Sequence, residues 1–142
     1  MMPNAAILFA TIILLLPMGY LLLAAPAFLL VKLDIPPVTA LLRGMFNAYF
    51  VMMTIAGAIA TVAFAMAGRV VFAVGFVLIT ALAVSVRRWF LRQMDAELSA
   101  RDAGDVAAVG RLRRLHWGGM LGNAVQLAVI VVGIPYFGVT PT

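Results

Sequence analysis

The stretch Gly44–Gly68, GMFNAYFVMMTIAGAIATVAFAMAG, is followed after one charged residue, Arg69, by Val70–Val86, VVFAVGFVLITALAVSV. Neither stretch carries a charge. About 20 apolar residues, at a rise of 1.5 Å each, cross the hydrocarbon core of a bilayer. The two stretches therefore read as membrane spans, and the Gly68-Arg69 turn makes them adjacent and antiparallel. Outward from this pair, Met1–Val31 and Leu115–Thr142 are also free of charge. The expected fold class is all-α: an integral membrane antiparallel four-helix bundle forming a single transmembrane domain over residues 1–142. Its spans are expected near 5–31, 44–67, 70–91 and 112–136, with a polar connection over 93–111.

Composition supports this. The chain is 65% hydrophobic with a mean hydropathy of +1.15, and 11% of it is charged, against about 25% in a soluble domain. The length of 142 residues leaves no room for a soluble domain beside the bundle. There is no cysteine, which excludes disulfides, thiolate metal sites and thiol chemistry. Leu23-Ala24-Ala25-Pro26-Ala27 resembles a signal cleavage site, but Met1–Ala6 lacks a positive side chain and the apolar run is too long. A retained span is expected. Pro17 and Pro26 interrupt its backbone hydrogen bonding, and a kink near Pro17 is expected. In the polar connection, Asp95, Glu97, Asp102 and Asp105 mingle with arginines, which suggests a short surface helix with Ser99 or Asp102 as its cap.

The net charge of +5 could suggest nucleic acid, but the basic residues border the membrane and carry no base-reading surface. Lys32 and Arg43 flank the first connection, and Arg87, Arg88, Arg92, Arg101, Arg111, Arg113 and Arg114 flank the third. Only Arg69 lies at the other side, an asymmetry of nine to one. The positive-inside rule places the basic side in the cytoplasm and both termini outside. In a bacterium this is the inner membrane, with periplasmic termini.

No catalytic constellation is present. All five acids lie in connections and there is one histidine, so paired carboxylates, a proton relay and a His/Cys metal cluster are unsupported. What remains is polar striping. On span four, His116, Gly119, Asn123, Gln126, Ile130 and Gly133 share a helical face, as do Arg43, Asn47, Thr54 and Thr61 on span two. Polar groups in lipid require partners, so Arg43, Asn47, Arg87, His116, Asn123 and Gln126 are expected to face inward as a basic cup. The cup reads either as helix glue or as a site for lipid, an anionic headgroup or a quinone-like molecule. A haem on His116 would need a second ligand from a partner or another copy. Ala56, Ala60, Ala63 and Ala67 form a small-residue stripe, and Gly118/Gly122 form a G-x-x-x-G pair; both suit close helix packing.

Arg111-Leu112-Arg113-Arg114-Leu115-His116, with Asn123 and Gln126, resembles the start of the last span in a family of small four-span bacterial membrane proteins of unknown function. That family is related to a eukaryotic four-span protein linked to drug tolerance. A more distant likeness is to anthrone-oxygenase-like membrane proteins. The resemblance implies the fold and no particular activity.

The leading functional expectation is a non-catalytic accessory or structural subunit, packing against another membrane protein or a second copy. A small transporter or channel-like oligomer for an anionic or amphipathic solute is the alternative. A third is a redox or oxygenase-like protein holding haem or quinone. The charge asymmetry yields a direct test of orientation. A reporter fused after Thr142 is expected to read as periplasmic and one inserted near Ala103 as cytoplasmic; the inverse pair of readings would refute the topology.

Overall fold

A computed structural model describes residues 3–137. It consists of four long helices: α1 (Pro3–Ala24), extended by a 3₁₀ turn over Ala25–Leu29, α2 (Pro36–Met66), α3 (Val70–Asp102) and α4 (Ala107–Phe137). All four are long and apolar enough to cross a membrane. Each packs against its chain neighbour, and α1 closes the ring against α4; the α2–α3 interface is the most extensive. The result is an antiparallel four-helix bundle of membrane-span helices.

Local chemistry sets the helix ends. Pro36 and Pro37 open α2, after Ile35 in extended conformation (φ −91°, ψ 112°). Proline disfavours the helical region for the residue before it and suits the first helical turn. Gly68 (φ 73°) and Gly104 (φ 96°) end α2 and α3 in left-handed conformation. In both places two amides fold back, Arg69 N–H to Phe64 O with Gly68 N–H to Ala65 O, and Asp105 N–H to Ala100 O with Gly104 N–H to Arg101 O. This Schellman pattern satisfies carbonyls at the helix end.

The polar connection differs from expectation. No separate surface helix forms; α3 continues through Gln93–Asp102, and the turn to α4 is confined to the residues between Asp102 and Ala107. No glycine or proline interrupts Arg92–Asp102, and its Ala, Leu, Met, Gln and Glu residues favour helix. Ser99 and Asp102 are consequently helical residues, and the capping role falls to Asp105, whose Oδ1 accepts the Ala107 N–H at 3.0 Å. Likewise α2 begins at Pro36, ahead of the first apolar stretch of its span. At 31 to 33 residues, α2, α3 and α4 reach about 47–50 Å, well beyond a bilayer core of about 30 Å. In all three the charged residues lie at the end away from the Gly68-Arg69 turn.

The bundle interior is aromatic at two levels. Phe64, Phe72, Phe76 and Phe137 interlock near the Gly68-Arg69 turn, and Phe46, Tyr49, Phe50 and Phe90 do so toward the basic end. Between them, Ala56 and Ala60 are buried and Ala63 is half-buried. Gly57 lies directly against Thr80, so that a Cβ there would overlap the threonine hydroxyl. Thr80 cannot easily yield, because its hydroxyl also donates to Phe76 O at 2.8 Å. Gly57→Ala is accordingly expected to destabilise the purified protein by about 1–3 kcal/mol. Adding Thr80→Ala should recover most of the loss, and thermal unfolding of the two variants measures it. Equal stability of Gly57→Ala and the parent would contradict the close α2–α3 approach.

Candidate functional site

The polar residues of α4 meet the backbone of α1. The Asn123 amide donates through Nδ2 to Met18 O at 3.0 Å, and His116 Nε2 lies 2.8 Å from Ala25 O. A carbonyl only accepts, so the histidine carries its proton on Nε2. Arg113 donates to Phe28 O and Val31 O. Moving back along α4 from Asn123 to His116 to Arg113, steps of seven and three residues are matched by steps of seven and three forward along α1. Equal and opposite steps are the signature of a straight antiparallel register. At Phe28–Val31 the first span is ending, and carbonyls there have no following turn to bond them. Arg113 satisfies two of them from outside, where a cation at a helix C-terminus is additionally favoured by the helix dipole, while His116 reaches a carbonyl within the 3₁₀ turn.

The remaining residues of the expected cup do not converge on one point. Arg43 forms a two-pronged ion pair with Asp95 at 2.6 and 3.0 Å, at a partly exposed position. Arg87 donates through Nε and Nη2 to Asn47 Oδ1 at 3.0 and 2.8 Å. The Tyr49 hydroxyl donates to Gln126 Oε1 at 3.1 Å. His116 is fully buried, edge-on to the rings of Phe28 and Phe46. The cup is thus a set of separate ties: α2–α3 through Arg43 and Asn47, α2–α4 through Gln126, and α1–α4 through His116 and Asn123. Two atoms in this set are buried without a hydrogen-bond partner, His116 Nδ1 and Asn123 Oδ1.

Sequence reasoning did not find the cleft between α3 and α4. Between α3 and α4 a cleft of about 750 Å³ runs from the basic end to Asn123, Gln126 and Val129. Phe50 and Met53 of α2 form part of its back wall, and Leu82, Ala83 and Val86 of α3 face Leu115, Val125 and Val129 of α4. Leu82, Val125 and Val129 are each more than half exposed, so the cleft opens sideways to the surroundings of the bundle. Trp89, Gln93, Glu97, Arg111 and Arg114 line its basic end. The cause is a run of small residues. Gly118 and Gly122 lie along the cleft with no atom within 4 Å of where a Cβ would stand, whereas Gly119 is covered by Phe46 and Phe90. The signal available in the sequence was the run of three glycines within Gly118–Gly122. Its pairing with a splayed α3 could not be read there.

At the rim, Arg111 is held by Glu97 at 2.7 Å and Asp105 at 2.6 Å, and Arg114 is exposed. Among the described residues no group of His, Cys, Asp and Glu could hold a metal ion. No family model, curated protein or solved structure matches the chain. The likeness to four-span proteins therefore stands at the level of architecture, four helices of span length.

The Arg111 guanidinium, and after it the Ala107 amide, hold the Asp105 carboxyl below its ordinary range. The bonds formed by the ionised carboxylate are complete at neutral pH and are lost as pH falls through the lowered value. Acidification below about pH 4, the usual aspartate range, should therefore reduce hydrogen-exchange protection at Ala107. Asp105→Ala should show the reduced protection already at neutral pH. Unchanged protection in that variant would argue against the cap.

Proposed function

We propose that this small polytopic membrane protein is non-catalytic and takes a lipid-soluble amphiphile into the cleft between α3 and α4. The observation that carries the reading is the shape and lining of that cleft. Its volume lies within the range of small-molecule sites, about 300–1,000 Å³. Its walls are aliphatic and aromatic, and its polar groups are segregated to the two ends. Trp89, Gln93 and Arg114 at the basic end suit the interfacial part of an amphiphile. By charge asymmetry the protein would sit in the cytoplasmic membrane with this end inside.

The other readings draw less support. Conduction needs a polar path, and the far end of the bundle is filled by Phe64, Phe72, Phe76 and Phe137. A haem iron needs a ring nitrogen facing open space. His116 Nε2 is engaged by Ala25 O, and His116 does not line the cleft. The accessory-subunit reading retains one specific observation: Gly118 and Gly122 leave room for the close approach of a partner helix.

Filling the cleft separates these readings. Protein purified in mild detergent is expected to carry an organic-extractable amphiphile, detected by native mass spectrometry. Gly118→Leu/Gly122→Leu should lose most of it while retaining the fold. Full retention of the bound molecule by that double variant would sink the proposal. A parent protein that carries no amphiphile but forms a defined complex with a second membrane protein, abolished by the same substitutions, would favour the accessory subunit.

A further inference from the structure

We infer that the inner end of the cleft, formed by Asn123, Gln126 and Tyr49, is a binding site for the hydroxyl group of a neutral, long-chain alcohol or quinol. This rests on the reading of the cleft as an amphiphile site and identifies the class of ligand. Asn123 lines the cleft and is 2% exposed. Its Nδ2 is engaged by Met18 O, and its Oδ1 is buried without a partner. In hydrocarbon an acceptor left bare is costly, so a group that supplies a donor there is favoured.

Gln126 lies one turn further along the same face, where side chains three residues apart are neighbours. Tyr49 donates to its Oε1, which directs the N–H groups of the planar amide away from the tyrosine. A hydroxyl has one donor and two acceptor positions. A hydroxyl placed between these two amides would pair both, donating to Asn123 Oδ1 and accepting from Gln126 Nε2. An ether, ester or quinone oxygen can accept from Gln126 but leaves Asn123 Oδ1 unpaired.

Charge distribution selects a neutral head. The charged side chains lining the cleft are Glu97, Arg111 and Arg114, all at the basic end. Arg114 precedes Asn123 by nine residues, about 14 Å along the helix. A phosphate or carboxylate at the inner end would be an uncompensated charge near the middle of the membrane, a far larger penalty than a hydroxyl incurs. The aliphatic walls and the lateral opening accommodate the tail.

The test uses full-length protein in phosphatidylcholine nanodiscs, with binding read from Trp89 fluorescence in a Trp117→Phe background. Two pairs of probes differ in hydroxyl donation: farnesol against farnesyl methyl ether, and ubiquinol-2 against ubiquinone-2. In at least one pair the hydroxyl form should bind about tenfold more tightly, the discrimination expected when a buried acceptor is satisfied or left bare. A preference confined to the first pair identifies an aliphatic alcohol, and one confined to the second a quinol. Asn123→Leu should reduce the preference to within about twofold. Gln126→Leu, at a half-buried position, should weaken binding of the hydroxyl form, and it carries the test with the parent comparisons if Asn123→Leu does not fold. Equal binding within both pairs would overturn the hydroxyl site while leaving the amphiphile cleft standing. Failure of all four probes to bind would overturn the cleft reading itself.

Discussion

The contact of Asn123, His116 and Arg113 with the carbonyls of Met18, Ala25 and Phe28 is the interaction on which the rest of the bundle depends. In lipid there is no water to satisfy a polar side chain or a carbonyl at a helix end, so each must find its partner within the protein. The first span supplies one acceptor within α1, at Met18, and two at Ala25 and Phe28, where it tightens into a 3₁₀ turn and then stops. The last span supplies donors at matching intervals. An axial slip of α4 would break all three ties together, so the ladder sets both the register and the facing of the two helices. Each bond alone contributes modestly, about 0.6 kcal/mol in membrane proteins. The alternative of leaving these groups bare is what enforces the arrangement.

From this register follows the asymmetry of the bundle. α1 and α2 bury a larger share of their apolar windows than α3 and α4 do. α2 is seated tightly on α3 through Gly57 and Thr80, while α4 is tied to α1 by its polar face. That leaves α3 and α4 free to part over the glycine run, where no side chain fills the space. The cleft is therefore a consequence of where the close contacts lie elsewhere. Its inner end coincides with the polar stripe that anchors α4 because Asn123 belongs to both: its nitrogen serves the ladder, and its oxygen is left over.

The charged residues show a similar division of labour. The basic residues gather at one end of the bundle, and several arginines there have local structural partners. Arg101 donates to Leu33 O and to the Thr39 hydroxyl at 3.1 and 2.7 Å, tying the end of α3 to the first connection and to the first turn of α2. At the opposite end Arg69 donates to Phe137 O at 3.1 Å, where a cation meets the last carbonyls of α4. Arg88, Arg92 and Arg114 remain exposed at the basic end.

Much of the fold was legible in the chain because it depends on one-dimensional properties. Charge-free stretches, hydropathy, and Gly68 and the Pro36-Pro37 pair as boundaries determine four spans and their antiparallel order. The stripe on α4 singled out His116 and Asn123 as inward-facing. Their partners were not legible, because a backbone carbonyl has no side-chain signature and every residue offers one. Of the expected cup, Asn47 and Arg87 do pair, whereas Arg43 turns to Asp95 and the α4 residues to α1 carbonyls and Tyr49. Asp95 lies on α3, beyond the charged edge where the apolar pattern ends. The sequence by itself determined which segments enter the membrane and which of their faces avoid it. Only the tertiary structure decided which helices close tightly and which stay apart, because that depends on the fit of Gly57 to Thr80 and of Gly119 to Phe46, and on an α1–α4 register set by carbonyls.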